Sequence, residues 1–345
     1  MTTRPLVLEK KDLAEIATEF GYGKLASGSG PLEGWGYKRY RLVTAKGRLE
    51  VRVRRFDEEV DIRREIDVLA FLEKHGFPSP RVVSDRLGRQ FFERDGHFLV
   101  VYRIPPGEHC REGELNERRI YRAGRTLSEL HMVCRGYKKA SESRFGFDSI
   151  FETYAEVRRR IPPYFKKIVR TFDEETEYLG NYLETKLPKG FIHGGIYWGN
   201  FAFKGDSVSC LSDFEEASRG KFVFDLATAV NALCFIDGAF LLERFEPLMA
   251  GYESLRTLSL AEWDSFPNEM RFAALKFGVM RLHQFFDAGE GEADRINDDF
   301  RGFLERLRVL RREKDGGMEK LLMAMATGYD YRKYQRVKAD DPDAD

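Results

Sequence analysis

The sequence predicts an α+β protein of two lobes, a small β-rich one followed by a larger, mostly helical one. Three observations carry this. Between Lys24 and Phe56, in "YKRYRLVTA" and "RLEVRVRRF", apolar and polar residues alternate, the period of half-exposed strands. Beyond residue 117 apolar residues recur at helical spacing over long stretches. The one interruption, residues 189–216, reads as two or three short strands.

The elements follow in order. In residues 10–20, "KKDLAEIATEF", Leu13, Ile16, Ala17 and Phe20 share one helical face. Asp12 with Glu15 predicts a capping box, and Gly21 a stop. "SGSGPLEGWG" reads as a Gly-rich loop, and Lys46-Gly47 as the turn between the two alternating strands. Residues 61–75 read as a helix with the stripe Ile62, Ile66, Leu69 and Leu72, ended by Gly76, Pro78 and Pro80. Strands are expected near 81–84, 90–94 and 97–103, and "IPPGEHC" reads as a linker. Helices are expected over 117–134 and within 150–188, 225–257 and 267–312. The expected division is an N-terminal lobe 1–103, a linker 104–110, a helical lobe 111–330 and a polar tail 331–345.

Composition narrows the function classes. In 345 residues, 42% are hydrophobic, enough for a sizeable core. Lys plus Arg equals Asp plus Glu at 57 each, without the basic excess that nucleic-acid binding usually needs. Cys110, Cys134, Cys210 and Cys234 form no CxxC pair, which argues against a zinc or disulfide framework and for a reducing compartment. The start "MTTRPLVLEKKDL" lacks a signal-peptide core, and no run reaches the ~20 uncharged apolar residues of a membrane helix. A cytoplasmic protein with no membrane partner is the expectation. His131, near the apolar stripe of its helix, reads as a satisfied core histidine.

The informative stretch is "FIHGGIYWGN", residues 191–200. Asn200 closes it, and Asp213 opens "DFEE" after the apolar strand "VSCLS". A carboxylate and a carboxamide at adjoining strand ends suit Mg²⁺, a hard cation that takes oxygen ligands and shares its other positions with nucleotide phosphates. Asn and Asp are also common turn formers, which is the competing reading.

The pattern H-G-x-x-x-x-G-N, a strand, D-F-E and then "FVFDLA" resembles the aminoglycoside phosphotransferase and choline kinase superfamily. Downstream, "DLATAVNALCF", "GAFLLERFEPLMAGYESLRTLS" and "RFAALKFGVMRL" are most similar to its homoserine kinase branch. The resemblance covers roughly residues 20–310. It implies a protein-kinase-like fold that binds ATP and Mg²⁺ in an interlobe groove. It implies transfer of the γ-phosphoryl group to a small, amino-acid-like or acidic metabolite. Residue by residue, it implies Asn200 and Asp213 as metal ligands and Glu215 as a further acid near the metal. It implies Asp225 as an acid tying the next helix to the loop, and His193 as a structural member of that loop. Glu65 falls where a helix carboxylate pairs with a cation on the third strand. Arg52 is the best match for that cation, with Arg54 a rival in phase, although the family more often has Lys there. Strand alternation puts Glu50, Arg52 and Arg54 opposite Leu49, Val51 and Val53. Gly34 and Gly36 fall where a turn folds over the phosphates. Phe98 to Arg103, with Val101 among them, fall where backbone groups meet an adenine.

One position departs from the family. Two residues after the loop histidine the family places an aspartate that takes the acceptor's proton; here that position is Gly195. A positioned acid–base group typically supplies ~10²–10⁴ in rate. Phosphoryl transfer otherwise leans on positioning and charge neutralisation. Three readings stay open. The chain is a kinase with altered base chemistry, its base Glu215, Glu216 or another residue, or its acceptor already an anion. It is a pseudokinase that binds nucleotide or a protein partner. Or it uses ATP differently, as in nucleotidyl transfer. Tyr197 and Trp198 either fill the vacated space or stack on a ligand. Arg281, beside His283, is either a clamp for an acceptor carboxylate or an ordinary helix-surface arginine.

Overall fold

The computed structural model describes residues 6–33, 38–109, 113–287 and 300–312. They fall into two compact units. One takes in the chain as far as His109 together with Asn200–Glu215; the other takes in the rest.

The first unit begins with α1 (Lys10–Glu19), β1 (Leu25–Glu33), β2 (Lys38–Thr44), β3 (Gly47–Arg55) and α2 (Glu59–Lys74). It continues with β4 (Arg81–Val82), β5 (Phe91–Arg94), β6 (His97–Ile104) and β7 (Glu108–His109). One antiparallel sheet runs in the order β1-β2-β3-β6-β4, with β5 also on β6. The alternation predicted half-exposed strands, but β3 is buried from Leu49 through Arg54 because both faces of the sheet are covered. Leu49, Val51 and Val53 pack with Leu13, Ile16 and Ala17 of α1 and with Phe20 just after it. Glu50, Arg52 and Arg54 face the other way, where α2 brings Glu65 onto the two arginines and Glu50 pairs with Arg52.

Two local expectations are corrected. The start of "SGSGPLEGWG" is strand, not loop: β1 pairs with β2, with register shifts between Leu25 and Ser27 and between Ser29 and Leu32. Its Ser and Gly residues have little strand preference, and pairing with an open sheet edge overrides it. The α1 cap uses Asp12 at the third helical position, accepting from the Glu9 N–H at 2.7 Å, rather than Asp12 with Glu15.

Two strands from much later in the chain complete this unit. β9 (Phe201–Lys204) and β10 (Ser207–Leu211) form a hairpin, and β7 pairs with β9 on its other side. Leu211 N–H donates to Pro78 O at 2.8 Å, which fixes the end of β10 just before Asp213.

The second unit holds α3 (Glu117–Val133), α4 (Phe147–Arg158), α5 (Lys166–Tyr182) and β8 (Lys189–Ile192). After the excursion come β11 (Ser218–Lys221), α6 (Phe222–Leu233), β12 (Phe235–Ile236), β13 (Ala239–Phe240), α7 (Leu242–Glu253), α8 (Leu260–Asp287) and α9 (Phe300–Arg312). α3 and α7 cross main chain to main chain: a β-carbon on Gly124 would lie 2.1 Å from Leu248 O, and one on Gly251 1.9 Å from Tyr121 O. The periodic stretch 225–257 is not continuous helix. Asp237 (φ 48°) and Gly238 (φ 77°) turn β12 back on β13. An Asp-Gly pair between apolar residues is a strong hairpin signal that helical periodicity hid. Likewise Pro162 and Pro163 separate α4 from α5. Among the described residues no helix is long and apolar enough to cross a membrane.

Candidate active site

In the first unit the candidate residues meet at the end of β10. Asp213 sits at φ 69°, a left-handed conformation that Asp tolerates better than most residues. Its Oδ1 accepts from Arg52 Nη2 at 2.6 Å. Its Oδ2 accepts from Asn200 Nδ2 at 3.0 Å and Arg39 Nη1 at 3.3 Å. Arg39 and Arg52 are direct cross-strand neighbours. Like charges so placed repel, and the Asp213 carboxylate bridges them. Asn200 is buried, and its carbonyl accepts from Ser212 N–H at 3.0 Å, which ties the two strand ends together.

Arg52, 1% exposed, is a three-way junction. Besides Asp213 it donates from Nε to Glu50 at 2.8 Å and from Nη1 to Glu65 at 3.1 Å, with its guanidinium over the Tyr102 ring at 4.6 Å. Glu65 also accepts from Arg54 Nη1 at 3.3 Å and from the Tyr102 hydroxyl at 3.1 Å. Arg52 and Arg54 are therefore partners rather than rivals: both hold Glu65, and only Arg52 reaches Asp213. Arg54 also lies 3.5 Å from Glu215. Burial pushes the Glu215 carboxyl up to about 8 despite the nearby Arg54, with the Asp213 charge adding to the rise.

Val101 is buried in β6, and its carbonyl accepts from Val83 N–H at 2.9 Å. That carbonyl is therefore committed to the protein's own main chain. Gly34 and Gly36 lie outside the described residues.

In the second unit the loop after β8 is held by Asp225, fully buried near the start of α6. Its Oδ2 accepts from His193 N–H and its Oδ1 from Gly194 N–H, both at 2.8 Å. The His131 Nε2 lies 2.9 Å from Oδ2, and Nδ1 lies 2.8 Å from the Tyr252 hydroxyl. A neutral imidazole satisfies both contacts, donating to Asp225 and accepting from Tyr252. Burial holds the His131 ring below its ordinary value against the pull of Asp225. Burial alone would raise Asp225, but the hydrogen bonds from the His131 ring and the His193 N–H hold its carboxyl below the usual range. His193 is fully buried.

Tyr197 is 40% exposed and Trp198 half-buried, their ring centroids 4.7 Å apart. Neither is among the atoms nearest the point where a β-carbon of Gly195 would sit; those belong to Glu216. Arg281 and His283 are half-buried on α8. Sequence reasoning missed Arg39 and Lys276. Lys276 was visible as a lone charge in the apolar run "AALKFGVM". Arg39 becomes legible only through its register with Arg52.

The donor set at Asn200 and Asp213 fits magnesium. One carboxylate and one carboxamide converge within hydrogen-bond distance; Asn200 turns its Nδ2 to Asp213 Oδ2, and an ion would be held by the amide oxygen of Asn200 and the carboxylate of Asp213. Among the described residues no group of three or more His, Cys, Asp or Glu could hold a metal alone. An ion here would complete its shell with water and phosphate, the usual habit of Mg²⁺ at nucleotide sites.

Comparison with known proteins shows the family to which the chain belongs. Residues 28–258 match the model of the phosphotransferase enzyme family. A homoserine kinase of Methylobacterium radiotolerans is 30% identical over 317 residues, covering 88% of this chain and 94% of that protein. One from Agrobacterium fabrum is 27% identical over 318 residues, with the same coverage of 88% and 94%. Among solved structures, an amicoumacin kinase in complex with AMP-PNP, Ca²⁺ and Ami has a TM-score of 0.64 at 16% identity, covering 95% of this chain and 97% of that one. A microcompartment-associated aminopropanol kinase has a TM-score of 0.61 at 18% identity, covering 89% and 98%. With a family match across most of its length and the kinase-like fold, the chain belongs to the phosphotransferase enzyme family.

Proposed function

We propose that the protein is an ATP- and Mg²⁺-dependent kinase that phosphorylates a hydroxyl of a small, amino-acid-like or acidic metabolite, with homoserine the first acceptor to test. The observation that carries this reading is the convergence of Asn200 and Asp213, with Arg39 and Arg52 on the same carboxylate. The near full-length likeness to two proteins named homoserine kinase supports the acceptor class.

In this reading Asn200 and Asp213 hold Mg²⁺, which when bound offsets phosphate charge. Arg52 orients Asp213, and Glu65, Glu50 and Tyr102 orient Arg52. Glu215 is a further acid beside the metal ligands. Asp225 fixes the main chain of the loop that carries His193 and Gly195. Residues 1–103 serve the nucleotide, with Gly34 and Gly36 over its phosphates and the Val101 strand toward its base. Residues 104–110 link to residues 111–330, which serve the acceptor, with Tyr197, Trp198 and Arg281 lining its site. The protein works in the cytoplasm and needs neither nucleic acid nor a membrane.

Gly195 favours one rival: a pseudokinase that binds nucleotide without turnover. A melting-temperature rise with ATP and Mg²⁺, lost in Asp213→Ala, tests nucleotide binding. ADP release stimulated by homoserine or a related amino alcohol separates the two readings. No rise with any nucleotide refutes both.

A further inference from the structure

Position 195 carries no side chain, yet its surroundings are not open. A β-carbon built there would lie 3.2 Å from Glu216 Oε2, 3.3 Å from the Glu216 carboxyl carbon and 3.8 Å from Oε1. An aspartate's carboxyl carbon lies one bond beyond its β-carbon. The Glu216 carboxylate therefore borders the volume that an aspartate at 195 would fill.

Three features put it there. The β8–β11 register pairs Ile192 with Ser218, which brings the residues after one strand beside those before the other. Gly194, at φ 82°, lets the two main chains meet: a β-carbon on it would lie 2.6 Å from Glu216 O. Lys276 then clamps side chain to loop, donating from Nζ to Glu216 Oε2 at 2.6 Å and to Gly194 O at 2.8 Å. Lys276 is 1% exposed and sits 5.0–5.5 Å from the ring centroids of Phe145, Phe224 and Phe277. The Glu216 side chain keeps 14% exposure. With Oε2 taken by the lysine, Oε1 accepts no hydrogen bond among the described residues.

We propose that Glu216 is the catalytic base the loop lacks, its carboxylate delivered from the turn before β11 into the place vacated at Gly195, with Lys276 as its positioning residue. The proposal rests on the phosphotransferase reading above. The acceptor hydroxyl donates to Oε1. As the acceptor oxygen bonds to the γ-phosphorus of ATP, the bond from that phosphorus to the β–γ bridging oxygen breaks. Its electron pair leaves with ADP, and the hydroxyl proton passes to Glu216. The paired glycines have a joint purpose: Gly194 admits the main chain of residue 216, and Gly195 admits its side chain.

The test measures ATP affinity by calorimetry, and ADP release to homoserine and to water, in wild type, Glu216→Gln, and the exchange Gly195→Asp with Glu216→Ala. Glu216→Gln should lower turnover by ~10²–10⁴ and leave ATP affinity within about twofold. The exchange, which returns the carboxylate to position 195, should recover turnover to within about tenfold of wild type, a rescue that a merely structural Glu216 would not allow. Gly195→Asp alone should be slower than wild type, because two carboxylates then compete for one lysine. Glu216→Gln turning over as fast as wild type overturns the proposal, and so does wild type that binds ATP but releases no ADP to either acceptor. If Glu216→Gln does not fold, the exchange decides: activity supports the proposal, and ATP binding without activity overturns it. Wild type that binds no ATP refutes the phosphotransferase reading itself.

Discussion

Arg52→Lys puts into this chain the residue type that the resembled family more often carries on its third strand, and the structure predicts that it does harm. Arg52 spends its guanidinium on three carboxylates in three directions: Glu50 at 2.8 Å, Glu65 at 3.1 Å and Asp213 at 2.6 Å. A lysine ammonium is a single point and cannot span that fork. Glu65 keeps Arg54 and Tyr102, so it is not abandoned. Glu50 is worse placed: it is buried, and among the described residues its other ion pair is with Arg41 at 4.0 Å. If the lysine keeps Asp213, the variant loses one or two charge-assisted bonds, each worth ~1.5–3 kcal/mol, part of which relaxation recovers. We expect a loss of about 2–3 kcal/mol, and about 3–5 kcal/mol for Arg52→Met, which removes the cation altogether. Urea unfolding followed by circular dichroism measures it as a shift in midpoint at constant slope. A loss below about 0.5 kcal/mol for Arg52→Lys would mean that the junction costs as much in desolvation as it returns, and the reasoning would be wrong.

Asp213→Ala should erase the Mg²⁺-ATP rise in melting temperature and also lower the ligand-free melting temperature, since it leaves Arg39 opposite Arg52 with no anion between them. Gly194→Ala should cost about 2–4 kcal/mol in urea, from a left-handed backbone and a β-carbon 2.6 Å from Glu216 O; a silent variant would refute the close approach. Glu269, fully buried and paired with Lys221, has its carboxyl pushed up to about 7 by burial. Because this folded value lies above the unfolded one near 4.5, its contribution is present below pH 4.5 and is lost as pH rises toward 7. Glu269→Gln should remove that loss, on the order of 2–3 kcal/mol, so that wild type and variant diverge between pH 5 and pH 8 in parallel urea titrations. Equal slopes in the two proteins would count against it.

The elements themselves were largely legible. Strong periodicity placed α1, α2 and α3 within two residues, because each buries one continuous stripe. That Asn200 meets Asp213, that Glu65 pairs with a cation of the third strand and that Asp225 holds the loop is legible too, because their spacing along the chain matches a known pattern. What escaped was whatever depends on pairing across the sheet. Arg39 stands out only through the residue opposite it; Glu216 is legible as one of several candidate bases, but its place beside Gly195 follows only from β8 and β11 running side by side. The Arg52 and Arg54 choice was posed as exclusive, since a sequence shows two cations in phase but not that one carboxylate can serve both. Tyr197 and Trp198 read from the sequence either as fillers of the Gly195 gap or as a platform for a ligand, and the atoms nearest the gap belong to Glu216, in the turn before β11.

The first unit is stitched from two separated parts of the chain. During synthesis its six-stranded sheet emerges early, while the hairpin bearing Asn200 and Asp213 is translated only after α3, α4 and α5. A nascent chain cut at His109 would leave β7 without β9, and Arg39 and Arg52 would confront each other across adjacent strands. Such long-range closure is slow to find. The six-stranded sheet can therefore pair while synthesis continues, but the unit can close over Arg39 and Arg52 only once Asp213 has left the ribosome.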